Sequence, residues 1–403
     1  MNVWDYLVDL IPNLARNLRA AVEGAGFSDG AVFLVMGLAG VLAVTLFVML
    51  LVPPLTFLER RLVARAQVRI GPNRVGPFGL LQPIADALKL MTKEVIVPSQ
   101  ADGLLHLLAP SLIFLPPFMI FAVVPFAPGG VFTNLNMGLV YIIAVSSLAA
   151  IVVFTAGFSS ANRYSMLGAA RAVAQLISYE VPATIALVTV AVAAGSLSLT
   201  GIVQAQTVPY ILYFPLAFLI FFIGSLVEVN RAPADLAEAE SEIIAGYHTE
   251  YGGFKWACFQ LGEYTHMVAA SAIIATLFLS GWKGPILPPY LWLVTKMMVV
   301  ILLYMWIRFT VPRIRVDQVM SFAWKFLLPL SLINVLVVGL EVVLAPSLPV
   351  WLIAINVPFA AASIVVWAKL YRVLEGPPPL TQRREIPGVT SPLPVPEPAG
   401  TAR

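Results

Sequence analysis

Apolar positions along this chain fall into long runs separated by short polar gaps. Nine stretches, at about 31–58, 106–127, 137–158, 172–194, 209–228, 256–281, 290–311, 326–345 and 349–371, reach the roughly 20 mainly apolar residues that a helix needs to cross a hydrocarbon core. Strands of a membrane barrel would alternate polar and apolar positions over shorter segments, and these runs do not alternate. Turn-rich breaks such as Ala127-Pro128-Gly129-Gly130 separate the runs. The pattern predicts an all-α polytopic membrane protein with about nine transmembrane helices, eight being possible. It divides the chain into an N-terminal segment 1–30, a membrane domain 31–373 and a Pro-rich tail 374–403 expected to be disordered.

Composition narrows the picture. Of 403 residues, 60% are hydrophobic and 11% charged, with a mean hydropathy of +0.90, so the bilayer has to be the solvent. The first run is about 28 residues long, beyond the core of a signal peptide, and reads as a retained span. Of the 24 Lys and Arg, all but Arg16, Arg19, Lys283 and Lys296 fall on one side, in its gaps or at the span ends that face it. By the positive-inside rule the N-terminus is outside and the C-terminus inside, which requires an odd number of spans. The net charge of +3 is thus a topological signal, and no basic, aromatic-bearing solvent domain suited to nucleic acid is present. One cysteine, Cys258, and three histidines exclude a disulfide framework, an intrachain cysteine-ligated cluster and paired haem ligands. There is also no Gly-x-Gly-x-x-Gly and no P-loop. The chain cannot carry electrons alone.

The polar information sits in the inside segments. The first, 59–94, opens with Glu59-Arg60-Arg61 and runs through Arg69-Ile70-Gly71-Pro72-Asn73-Arg74-Val75-Gly76-Pro77, whose glycines and prolines demand a shaped loop. Gln82, Asp86, Lys89 and Lys93 then recur at helical spacing, with Leu81, Ile84, Leu88 and Met91 on the other face. This is an amphipathic interfacial helix, which by periodicity alone fits a surface anchor as well as a binding element. The third inside segment is the most acidic. It carries Glu228, Arg231, Asp235, Glu238, Glu240 and Glu242, and a helix beginning after Pro233 would put Asp235, Glu238 and Glu242 on one face. Carboxylates so placed can pass protons, although a solvated acidic loop fits the composition equally well.

Glu180 and Glu263 fall inside apolar runs. An unpaired ionised carboxylate there costs several kcal/mol, so each has to be protonated, paired or hydrated, and such acids usually mark ion or proton paths. Pro182 leaves the carbonyl of Ser178 without its helical donor beside Glu180, and His266 lies one turn from Glu263. Lys296 and Glu341 are further intramembrane charges, for which a structural ion pair is the plain alternative to function.

At these segments the sequence closely resembles the H-type membrane subunit of bacterial respiratory complex I, the counterpart of the mitochondrial first NADH dehydrogenase membrane subunit. The resemblance rests on Glu59-Arg60-Arg61; the Arg69-to-Pro77 loop with Leu80-Leu81-Gln82-Pro83, Ala85-Asp86 and Lys93-Glu94; Ala174-Gln175-Leu176-Ile177-Ser178-Tyr179-Glu180; Asn230-Arg231-Ala232-Pro233; Glu238-Ala239-Glu240-Ser241-Glu242; Ala245-Gly246-Tyr247-His248-Thr249-Glu250-Tyr251; and Pro312-Arg313-Ile314-Arg315, Asp317-Gln318 and Trp324-Lys325. It covers about 55–334.

The resemblance implies a subunit where the peripheral electron-transfer arm meets the membrane arm of a proton-translocating NADH:quinone oxidoreductase in a bacterial plasma (inner) membrane. It implies that Glu59, Arg60, Arg69, Arg74, Asp86 and Arg231 line or shape a chamber for quinone, ubiquinone or menaquinone, between loops 59–105 and 229–255. Asp235, Glu238, Glu240 and Glu242 would form the chamber's acidic exit, with Glu180, Glu228 and Glu263 as the carboxylate path beyond it. FMN and iron–sulfur clusters would reside only in partner subunits. The implied partners are the peripheral iron–sulfur and quinone-site subunits, the small and antiporter-like membrane subunits, quinone and lipid. This sequence departs from the family pattern at Phe158 for Trp, Val229 for Thr, Ala234 for Phe, Ala237 for Pro, Val316 for Tyr and His266 for Asn. The smaller residues at 234 and 237 mean that no quinone-tail preference is carried over. A membrane anchor of a related energy-converting hydrogenase is the first rival, disfavoured by the complete loop and acidic segment. A stand-alone cation/proton antiporter is the second, disfavoured by the lack of broken spans in matching halves.

Overall fold

In a computed structural model, residues 10–24, 28–235, 245–345 and 349–375 are described. Among them the chain is helical, with α1 (Leu10–Gly24), α2 (Asp29–Ala66), α3 (Gln82–Thr92), α4 (Gly103–Phe121), α5 (Gly138–Ser159), α6 (Arg163–Ala194), α7 (Leu199–Ala205), α8 (Pro215–Glu228), α9 (Gly253–Phe278), α10 (Pro289–Thr310), α11 (Val316–Leu344) and α12 (Trp351–Glu375). Eight of the described helices, α2, α4, α5, α6 and α9 to α12, are long and apolar enough to cross a membrane. The protein is thus an all-α, multi-pass membrane protein. The tail expected to be disordered lies outside the described residues from position 376 onward.

The stretch predicted at 209–228 is the one that falls short. Pro215 has no N–H to continue a helix, so the run splits into a single turn, Tyr210–Tyr213, and the 14-residue α8. At 1.5 Å per residue α8 extends about 21 Å, less than the roughly 30 Å of hydrocarbon. Its C-terminal residue, Glu228, therefore ends within the helix bundle. Conversely, α2 continues past the predicted end of its span through Glu59-Arg60-Arg61-Leu62, placing Glu59 and Arg60 on helix instead of loop. Arg, Leu and Ala are strong helix formers and keep the backbone helical beyond the apolar run.

Helix α6 forms the centre, packed against α5, α8 and α11. Small residues permit the close approach: a Cβ on Gly224 of α8 would sit 2.8 Å from the Ala183 Cβ of α6. Helix α9 is the most enclosed span, 83% of its apolar window being buried. It contacts α2, α3, α4, α7, α8 and α10, which together cover most of its sides. Lys296 and Glu341 form no pair with each other. Lys296 donates to the carbonyls of Gly281 (2.8 Å) and Lys283 (2.7 Å), while Glu341 accepts from Asn356 (3.0 Å). The structural ion pair that stood as the plain alternative to function is not formed between them.

Candidate functional site

Where α2 leaves the bundle, its last turns, the loop that follows, α9 and the end of α10 enclose a cavity of about 880 Å³. Glu59, Arg60 and Arg69, for which the resemblance implies a chamber role, line it together with Gln260, Tyr264 and Arg308, which sequence reasoning did not assign to a site. The loop is folded as its composition demands. The amide of Leu81 closes it on Val75 (3.3 Å), and Gly79 takes φ +82° against the Pro72 backbone, where a Cβ would collide. Val68 adopts φ +54°, uncommon for a β-branched residue, at the exposed crest beside Arg69.

The cavity floor is an ionic cluster. Glu59 is 3% exposed, and its Oε1 accepts from Arg231 Nη1 at 2.7 Å and pairs with Arg308. The Arg231 guanidinium lies over the Tyr264 ring, 4.5 Å from its centroid. One carboxylate thus faces two guanidiniums, of which Arg231 is buried and Arg308 about one-third exposed. Arg60 pairs with Asp86 of α3, and Gln82 donates to the same carboxylate at 2.9 Å. Asp86 and Arg231 therefore support cavity residues from behind. Arg74 is exposed on the loop and does not line the cavity. The apolar face of α3, Ile84, Leu88 and Met91, is exposed, as an interfacial helix requires.

A second, smaller cavity of about 30 Å³ lies in the bundle, lined by Glu180 of α6, Glu228 of α8 and His266 of α9, with Ser146 and Thr184 among the polar neighbours. That volume can hold water, and its carboxylates supply hydrogen-bonding partners. His266 Nε2 is 3.5 Å from Glu228 Oε1. Helix α9 separates the two cavities. At about 100° per residue, Tyr264, Gln260, Glu263 and His266 succeed one another around its circumference. Glu263, 9% exposed, thus sits between the face toward the large cavity and the face toward the small one.

The acidic segment enters and leaves through docked backbone. The Ala234 carbonyl accepts from Gln175 (2.6 Å), Ile314 N–H donates to Pro233 (3.1 Å), and the Asp235 carbonyl accepts from Arg313. Asp235 lines neither cavity; Glu238, Glu240 and Glu242 lie outside the described residues. On the return, Tyr251 bonds Ser159 (2.9 Å) and stacks on His106, and Asn162 donates to Glu250 (2.6 Å). His248 is 3% exposed in this segment, and burial pushes its imidazole down to about 3. The unfolded segment takes up a proton below about pH 6.5, whereas the folded one resists until about pH 3, so stability is lost as pH falls between those limits. From pH 7 to 5 the loss is about 2 kcal/mol, a rise on the order of thirtyfold in local opening. Hydrogen exchange of 245–251, corrected for intrinsic rates, should show it; His248→Gln should flatten the dependence, and an unchanged slope would remove His248 as its origin.

The fold and the site define a multi-pass helical membrane protein with a polar cavity where α2 leaves the bundle and buried acids on the other side of α9. The comparisons specify the family. Residues 39–339 match the family model described as NADH dehydrogenase. The chain is 50% identical over 333 residues to the H-type subunit of NADH-quinone oxidoreductase from Dehalococcoides mccartyi, covering 82% of this chain and 94% of that protein. It is 44% identical over 336 residues to the corresponding H-type subunit from Carboxydothermus hydrogenoformans, covering 82% and 96% respectively. With NADH-quinone oxidoreductase subunit 8 of Thermus thermophilus the identity is 48% over 301 residues, covering 72% and 82%. The chain belongs to this family of membrane subunits.

Proposed function

We propose that this chain is the membrane subunit of a proton-translocating NADH:quinone oxidoreductase that forms much of the quinone chamber and begins the carboxylate path to the pumping subunits. The observation that carries this reading is the pair of cavities on opposite sides of α9, one polar and open at the membrane boundary, the other small and acidic, with Glu263 between them. The large cavity, about 880 Å³, is of a size that encloses a ring-sized ligand. Arg60, Arg69 and Arg308 offer donors to a quinone carbonyl, and Tyr264 offers a ring face. Iron–sulfur clusters and FMN in partner subunits supply the electrons. Reduction takes up protons and changes the charge beside the Glu59 cluster, and the acids at 263, 180 and 228 respond as one coupled set. Asp235 and the acids at 238, 240 and 242 extend the path at the chamber's acidic exit. The one-sided basic charge supports a chamber facing the inside, and on this reading the membrane is a bacterial plasma membrane.

Gentle solubilisation of a tagged chain is expected to bring down iron–sulfur partner subunits with NADH:quinone reductase activity. An isolated chain would contradict the reading. Within the complex, Asp86→Asn frees Arg60 from its partner and is expected to raise the KM for a short-chain quinone several-fold, about 1 kcal/mol of binding. Unchanged kinetics would separate α3 from the chamber.

A further inference from the structure

His266 stands in an unusual position for a histidine in an apolar helix. Its Nε2 is 3.5 Å from Glu228 Oε1, and the same 30 Å³ cavity exposes Glu180. Among the described residues, the charged groups lining this cavity besides His266 are acidic, Glu180 from α6 and Glu228 from α8; Glu263 lies one turn away on its own helix, and the Tyr304 hydroxyl of α10 bonds Ser225 (2.7 Å) one turn before Glu228. Neither lysine nor arginine lines this cavity among the described residues. The imidazole is thus the one basic group there among those residues. The separation lies just beyond a direct hydrogen bond, and a small side-chain rotation or one water in the cavity closes it.

Resting on the path proposed above, we propose that His266 is a proton-relay residue that shares a movable proton with Glu228 and joins the Glu263 side of α9 to the Glu180–Glu228 pair. In the transfer, the O–H bond of the protonated Glu228 carboxyl breaks, its electron pair stays on the carboxylate, and the lone pair of neutral His266 Nε2 forms the new N–H bond. The product is an imidazolium beside a carboxylate, which neutralises locally the charge that the acid leaves behind. Loss of the Nδ1 proton to water or a neighbouring carboxylate restores a neutral ring with its proton on Nε2, and uptake of a new proton at Nδ1 then lets the Nε2 proton pass back to the Glu228 carboxylate. A bare carboxylate pair has no group that gains positive charge on accepting a proton. The imidazole provides one, at the end of the polar stripe of Tyr264, Gln260 and Glu263 on α9.

The test uses the assembled complex in membrane vesicles, with NADH, a short-chain ubiquinone analogue and an acidification-sensitive dye, across about pH 6 to 9. His266→Asn installs the amide of the family pattern at this position, a polar side chain that cannot carry a proton. It is expected to lower coupled turnover per assembled complex on the order of tenfold, since cavity water replaces part of a general acid–base contribution, and to remove one ionisation from the pH profile. His266→Gln, measured the same way, guards against an assembly defect, because both are normalised to complex content. Wild-type turnover, pumping and pH profile in both variants, with Glu228→Gln impaired, would overturn the relay and leave the carboxylate path standing. Wild-type behaviour in Glu228→Gln as well would overturn the path itself.

Discussion

Replacing Glu59 by Gln is expected to deplete the assembled complex and to leave the remainder with little quinone reductase activity. Arg231 is almost wholly enclosed, its side chain 6% exposed, and Arg308 is held at the same carboxylate. With the acid gone, the two guanidiniums lose the carboxylate they share. Breaking a buried pair by removing one partner costs about 3–5 kcal/mol, chiefly because the remaining charge stays desolvated. That is a large part of the stability of an ordinary domain. The cluster also ties α2 and α10 to the backbone that leads into the acidic segment, so its loss loosens the cavity floor and the approach to the path together. The double variant Glu59→Gln/Arg231→Met removes the most deeply buried orphaned charge, and Arg308, about one-third exposed, can hydrate. The double variant should therefore recover complex abundance relative to the single one, a non-additivity expected of residues in direct contact. Thermal inactivation and complex yield read both effects. A Glu59→Gln complex as abundant and heat-stable as the wild type would contradict the account of the cluster.

The second large effect is expected at Glu228. Glu228→Gln preserves shape and hydrogen bonding but cannot take up or release a proton. Its position follows from the short α8, which ends inside the bundle opposite Glu180 and His266. If protons released or taken up at the chamber are relayed through this cavity, quinone reduction and acidification fall together, on the order of tenfold or more. Glu180→Gln should act in the same direction, and Glu180→Asp, which keeps the carboxyl and shortens its reach, should be milder. Undiminished acidification per quinone reduced at full rate in Glu228→Gln would remove the residue from the path.

Much of this architecture was legible from the chain. The polar stripe of Gln82, Asp86 and Lys89 specified α3 because only a helix aligns those spacings. Glu180 and Glu228 were legible because a charge in or at the end of an apolar run is expensive and needs a reason. The break at Pro215 was not, since the apolar run passes through it and only the backbone's missing donor divides it. Arg308 stayed hidden for a different reason. A basic residue at the inside end of a span is what topology alone produces, and nothing local distinguishes it from Arg315. Tyr264 and Gln260 were masked by α9 itself, whose burial on almost every side gives no amphipathic face to read. His266, read from sequence as the neighbour of Glu263, gained its closer partner, Glu228, only through tertiary packing.

The central claim is that the cavity lined by Glu59 holds quinone. Illumination of the assembled complex with a photoreactive short-chain quinone, followed by peptide mapping, tests it most directly. Label on the segment around Glu59 to Pro72 and on the α9 peptide bearing Gln260 and Tyr264, abolished by excess unlabelled quinone, is the predicted result. Competable label confined to the lipid-facing helices or to partner subunits, with these two peptides clean, would contradict it.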